Sequence, residues 1–329
     1  MRLIGITMVR NEVDVIECFV RHNLGILDGL VIVDHGSFDG TSEVLAKLAA
    51  EGLPLRITYD ADPAYRQSQT MTGLARQALA RDAADFVFAL DGDEFLKVES
   101  RPALERALGA VPAGMHAAMH WLTYVPDAFG DAAGFGPGHL WWRLKTERHT
   151  LVKVIVGRAL LERPTDVIAM GNHAVLSEAA WSVQPHARLI QEVVALAHCP
   201  VRSRAQFETK VIVGYLANVA SRPTNRRLAR HWRELYNELR AGGNLNDERL
   251  REIASNYGLP IKNWRPVADV ELTEDPVHFI AERRYASDAV RDPLRLLMRF
   301  TEMLVDEERS CAPRGPVSRT GGQTQYVAL

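Results

Sequence analysis

Asp91, Gly92, Asp93 and Glu94 end the apolar run Phe86-Val-Phe-Ala-Leu90, and their types and spacing imply metal and phosphate chemistry. On an extended chain, residues two apart point to the same side, so Asp91 and Asp93 can both reach one hard cation once the chain bends after Gly92. A cation held there can hold a diphosphate. Asp-Gly is also ordinary turn chemistry, and Glu94 alone could be solvated. The run before it reads as a strand buried on both faces, and in α/β proteins such a strand delivers the next residues to the ligand-binding edge of a sheet.

A sheet is needed to position that edge, and the first hundred residues carry its pattern. Strands are expected at 3–9, 30–33, 55–59 and 85–90, with helices over 12–24, 41–50 and 69–82 between them. A βαβαβαβ order implies right-handed crossovers and a mainly parallel, Rossmann-like sheet flanked by helices. Asn11 and Asp39 are candidate helix caps, and Asp34-His-Gly-Ser-Phe-Asp-Gly-Thr41 is a polar turn. Beyond Leu96 the alternation stops. A strand is expected over 116–125, strand-like pieces at 141–143, 153–156 and 167–175, and a Gly-, Ala- and Pro-rich loop over 126–139. Helices are expected at 203–219, 225–240 and 247–256. The basic, amphipathic 225–240 segment fits a packing helix with a solvated charged face.

Composition limits the functional classes. The 329 residues are 47% hydrophobic, enough for a full core, and a formal net charge of −2 counts against a nucleic-acid partner. Cys18, Cys199 and Cys311 are scattered and fit neither a disulfide framework nor a Cys-rich zinc site, so a reducing, cytoplasmic location is expected. Without an apolar run long enough to span a membrane, any membrane contact would be peripheral.

The segments Met8-Val-Arg-Asn-Glu12, Val33 to Thr41, Leu90-Asp-Gly-Asp-Glu-Phe-Leu96, Gly171-Asn-His173 and His198-Cys-Pro-Val-Arg-Ser203, with Phe207 and Lys210, follow one another in a specific order. In this order the chain resembles glycosyltransferase family 2, in its small bacterial branch with a GT-A type nucleotide-diphospho-sugar fold. The resemblance covers residues 3–215. It implies a catalytic domain over 1–215, with a nucleotide-binding half at 1–100 and an acceptor half at 101–215. A helical region over 216–306 and a disordered tail over 307–329 would follow.

The resemblance also assigns roles. Thr7, Val9, Arg10, Asn11 and Glu12 would border the nucleoside, and Asp34 would bond the base, with closing its own turn as the alternative. Arg66 and Gln69 fall near the nucleotide or diphosphate in such enzymes, with a solvated helix start as the alternative. Asp91 and Asp93, beside Gly92, match the D-x-D element that binds Mn²⁺ or Mg²⁺ across the two phosphates. His198 would be the third metal ligand, with a core histidine as the other reading. Lys153 and Arg202 would approach phosphate or sugar.

Acceptor activation needs a base opposite the diphosphate. His173, Asp127 and Glu147 are the candidates, with Asp131 and the more remote Asp166 behind them; the family's E-D pair is missing. Trp121, Tyr124, Trp141 and Trp142 could stack on a sugar or pack in the core. The function implied is an inverting, metal-dependent transfer from a nucleoside diphosphate sugar, UDP-sugar favoured, to a hydroxyl of a glycan or lipid-linked glycan, with contact at the inner membrane face. A sugar nucleotidyltransferase is the rival enzyme, but the first loop lacks its glycine run. A fold that binds without turnover is the non-enzymatic alternative.

Overall fold

The structure is a computed structural model that describes residues 1–130, 135–179, 182–221, 230–279, 284–285 and 292–311. The amino-terminal alternation is present: β1 (Leu3–Val9), α1 (Ile16–Leu24), β2 (Gly29–Asp34), α2 (Thr41–Ala50), β3 (Leu55–Tyr59), α3 (Gln67–Ala80) and β4 (Phe86–Ala89). Next come β5 (Glu94–Val98), α4 (Arg101–Gly109), β6 (His116–Thr123), β7 (Trp142–Leu144), β8 (Val152–Gly157) and α5 (Ala159–Glu162). The short strands β9 (Asp166–Ile168), β10 (Val175–Ser177), β11 (Ser182–Val183) and β12 (His186–Arg188) lead to β13 (Val194–His198). The carboxyl-terminal part holds α6 (Arg204–Ala220), α7 (Arg230–Arg240), α8 (Asp247–Ser255), β14 (Leu272–Glu274) and α9 (Pro293–Cys311).

A nine-stranded sheet organises the chain in the order β3-β2-β1-β4-β8-β6-β13-β5, with β12 also paired to β6. The first four strands are parallel. β8 runs antiparallel to both β4 and β6, and β5 antiparallel to β13, so the second half is mixed. Every residue of β1, β2 and β8 is buried, as expected of strands covered on both faces. Alternation divides their side chains: Leu3 and Val9 face a core with Phe19 and Leu48, while Ile4, Ile6 and Met8 face one with Met71 and Leu79.

α7 and α8 pack through Leu235, Leu250 and Ile253 in one apolar cluster with Phe207 and Val211 of α6. α9 lies along α6 and buries Leu296 and Phe300. Among the described residues no helix is long and apolar enough to cross a membrane.

Several expectations change. Asn11 does not cap α1, which begins five residues later. Its backbone is left-handed (φ 57°), and its Oδ1 accepts from the Phe38 N–H, tying the first loop to the turn after β2. A boundary at 215 falls inside α6. Residues 307–311, expected in the tail, complete α9; 312–329 and 225–229 lie outside the described residues.

Candidate active site

The acidic turn sits where β1 and β4 end side by side. Leu90 N–H donates to Ile6 O at 3.0 Å, after which Glu94 N–H reaches back to Asp91 O at 3.2 Å. Glu94 Oε2 closes the turn by accepting from the Asp91 N–H at 2.7 Å. Gly92 sits in close approach: a Cβ there would lie 3.0 Å from Val9 Cγ1 and 3.4 Å from Glu12 Cγ.

Asp91 and Asp93 meet different cations. Lys153, buried on β8, donates to Asp91 Oδ2 at 2.5 Å and lies 2.8 Å from Glu94 Oε1. Gln67 Nε2 and Asn172 Nδ2 each donate to Asp91 Oδ1 at 3.0 Å. Asp93 takes Lys210 of α6, with His198 Nε2 at 3.5 Å and Arg202 at 3.6 Å. Arg202, also buried, pairs with Asp14 at 2.7 Å and with Glu12. His198 arrives by register: in the antiparallel β13–β5 pair it stands opposite Glu94.

This packing sets protonation. Burial alone would raise the Asp93 carboxyl, but Lys210, His198 and Arg202 hold it well below the usual carboxylate range. Burial drives Glu94 well above that range against the pull of Lys153. One lysine is shared by the Asp91 and Glu94 carboxyls, so its pull on Glu94 does not offset burial. Burial likewise pushes Glu12 up to about 7 despite Arg202 and Lys210. Burial, reinforced by Lys153, takes His173 down to about 4. His173 Nδ1 lies 2.9 Å from Val152 O, an acceptor, so Nδ1 carries the hydrogen and Nε2 is the lone-pair nitrogen.

These groups line a cavity of about 1030 Å³. Beside His198 the lining turns apolar and aromatic. Trp121 of β6 lies between His198, His173 and His149, with ring centroids 4.5, 5.4 and 4.7 Å away. Tyr257, from the loop after α8, sits 5.3 Å from the His198 ring.

Val9, Arg10, Asn11 and Glu12 line the cavity, as do Asp91, Gly92 and Asp93 and, farther along, Lys153, His173, His198 and Arg202. Arg10 is largely committed, since its guanidinium donates to the carbonyls of His35, Asp62 and Pro63 and stacks on Phe300.

Other expected residues lie elsewhere. Thr7 is buried within β1, outside the cavity wall. Asp34 closes its turn: Oδ1 accepts from Ser37 N–H and Oδ2 from Ser42. Arg66 is exposed and pairs with Asp62, and Gln69 is exposed in the first turn of α3. α3 starts at Gln67, so Gln67 and Tyr65 are the residues that face in. Asp127 is exposed and outside the lining. Glu147 accepts from the Thr123 backbone and hydroxyl and pairs with His149, away from the cavity. Asp166 is buried at the start of β9, and Asp131 lies outside the described residues. Of the base candidates, His173 remains. Tyr124 is a core residue whose hydroxyl donates to Asp275 O.

Asp93 Oδ1 and His198 Nε2 suit Mn²⁺ or Mg²⁺ as adjacent oxygen and nitrogen donors. Among the described residues no third His, Cys, Asp or Glu joins them, because Asp91 faces Lys153. Two protein ligands, completed by substrate phosphate and water, is a common arrangement for Mg²⁺.

No family model matches the chain, and no curated protein matches it. Solved structures do. Residues 1–349 of TarS from S. aureus align at 14% identity and TM-score 0.37, covering 67% of this chain and 65% of that one. The mannosyltransferase PcManGT from Pyrobaculum calidifontis, in complex with GDP-Man and Mn²⁺, aligns at 15% identity and TM-score 0.40, covering 68% and 65%. Glucosyl-3-phosphoglycerate synthase from Mycobacterium tuberculosis, with Mn²⁺ and UDP, aligns at 19% identity and TM-score 0.24, covering 36% and 43%. The chain thus spans about 65% of the first two. Its own strand order has four parallel strands with an acidic turn at their carboxyl edge, followed by a mixed extension, the mainly parallel α/β sheet expected from the amino-terminal pattern.

Proposed function

We propose that this protein is a metal-dependent glycosyltransferase that takes a sugar from a nucleoside diphosphate donor, UDP-sugars favoured, and passes it to a hydroxyl of a glycan or lipid-linked glycan. The observation that carries the reading is the convergence of Asp93, His198, Lys153, Arg202 and Lys210 on one cavity at the carboxyl edge of the parallel strands. Lysine and arginine beside a D-x-D pair form a preorganised field for a diphosphate, whose negative charge grows as the sugar leaves.

Asp93 and His198 would hold Mn²⁺ or Mg²⁺, which when bound supplies Lewis-acid neutralisation of the leaving diphosphate. The chain's own residues do the rest. Lys153 and Lys210, held against Asp91 and Asp93, are placed to share their hydrogen bonds with phosphate oxygens. Val9, Asn11 and Tyr65 border the nucleoside. His173, neutral at pH 7, presents Nε2 to the acceptor hydroxyl. In an inverting transfer the acceptor oxygen bonds to the anomeric carbon as the bond to the diphosphate oxygen breaks. The electron pair leaves with the diphosphate, and the hydroxyl proton goes to His173 Nε2.

Calorimetric titration with UDP, with and without Mn²⁺, tests the donor site, and release of nucleoside diphosphate across a panel of nucleotide sugars tests turnover. Metal-linked UDP binding and release from one donor are expected; no binding and no release would exclude the reading.

A further inference from the structure

The cavity is much larger than its charged end, and its remainder is closed by a fixed roof. Residues 256–265, after α8, form a loop whose ends are tied by Asn256: its Nδ2 donates to Arg265 O at 3.0 Å and its Oδ1 accepts from Arg265 N–H at 2.9 Å. Arg148 adds bonds to Asn256 Oδ1 and to Asn263 O. Inside the loop Trp264 Nε1 donates to Leu259 O at 3.0 Å, and the Arg249 guanidinium covers the Trp264 ring. Gly258 is left-handed (φ 81°), and a Cβ there would meet Leu151 at 3.3 Å and Trp121 at 3.5 Å, so the loop crosses directly above those two side chains.

What this roof offers a ligand is mainly apolar, with Asn256, Lys262 and the Tyr257 hydroxyl as its polar members. Tyr257, Leu259, Pro260 and Ile261 line it from above, and Trp121 and Leu151 from below. Tyr257, Leu259 and Ile261 are only half-buried, so apolar surface remains to be covered. Hydroxyls of an unmodified glycan would lose water there without a replacement partner. An alkyl chain, isoprenoid or aryl ring would bury its surface favourably.

We infer that the acceptor carries an apolar aglycone, which packs on the cavity face of Leu259, Pro260 and Ile261 beside Trp121 and Leu151 while its hydroxyl points toward His173. This rests on the transferase reading, because continuity with the diphosphate end makes the occupant an acceptor rather than an unrelated ligand.

The test is a titration of the whole protein with methyl, butyl, hexyl and octyl β-D-glucosides below their micelle concentrations, followed by tryptophan fluorescence. Affinity is expected to rise by about fourfold per methylene. That slope should collapse in the double variant Leu259→Asp, Ile261→Asp and survive in Leu294→Asp, on the exposed face of α9. A flat slope in the unmodified protein, or an unchanged slope in the double variant, overturns the inference. UDP titration with Mn²⁺ on the same samples separates the two readings. UDP binding with a flat slope sinks the apolar site alone; a steep slope without UDP binding sinks the donor reading and, with it, the acceptor assignment.

Discussion

The two ends of the cavity are built on opposite principles. At the charged end, side chains from strand termini and α6 hold one another through buried ion pairs, with Lys153 and Arg202 each only 1% exposed. At the apolar end a loop is held by backbone and amide hydrogen bonds and leaves its side chains partly uncovered. The difference teaches where specificity and tolerance reside. A buried charge is costly unless paired, so the first end admits little variation, whereas apolar side chains of similar size exchange at small cost.

The sharpest way to break the contrast is to remove one cation. Lys153→Ala leaves Asp91 and Glu94 facing each other without a counter-charge and is expected to destabilise the fold by about 3–5 kcal/mol in urea unfolding. A loss under about 1 kcal/mol would mean that the charged end is not preorganised. Next, Asp93→Asn should weaken UDP binding in Mn²⁺ by about 100-fold while affecting metal-free binding less. Equal loss in both conditions would remove Asp93 as a ligand.

At the sheet edge opposite the site, His116 gives a pH test independent of both ends. Burial, with Arg163 nearby, lowers its pKa to about 4, and its Nδ1 accepts from the Gly157 N–H, which requires a neutral ring. The folded pKa lies below the unfolded value of about 6.5, so this stabilisation is complete above pH 6.5 and is lost as pH falls toward 4. The loss is at most about 3 kcal/mol, and His116→Asn should flatten that part of the profile, read from urea midpoints at pH 7 and 4.5.

Smaller effects sharpen the apolar side. Asn256→Ala should cost about 2 kcal/mol and make residues 256–265 susceptible to protease, since it frees the bonds that close the loop. Leu294→Ser, on the exposed face of α9, should change stability by less than about 0.5 kcal/mol.

The amino-terminal half was largely legible because its physics is local. Continuous apolar runs such as Leu3–Val9 and Gly29–Asp34 can only be strands covered on both faces, and the polar turn between Asp34 and Thr41 punctuates them. Legibility failed where direction rather than residue type mattered. Arg66 and Gln69 were expected at the site, but α3 begins at Gln67, and a shift of one or two positions rotates a helical side chain away. Glu147 had suitable chemistry for a base, yet Thr123 on a neighbouring strand takes both its oxygens. The roof over 256–265 has no periodic pattern to announce it, and it exists because Asn256 and Arg148 tie it down.

The sequence by itself determined the acidic turn, with the glycine that lets it bend, and the parallel strands that present it. Which cation each carboxylate received was decided only by the tertiary structure. Asp91 meets Lys153 across 62 residues and Asp93 meets Lys210 across 117. Such pairings follow from strand order and helix packing, which no local pattern of residues encodes.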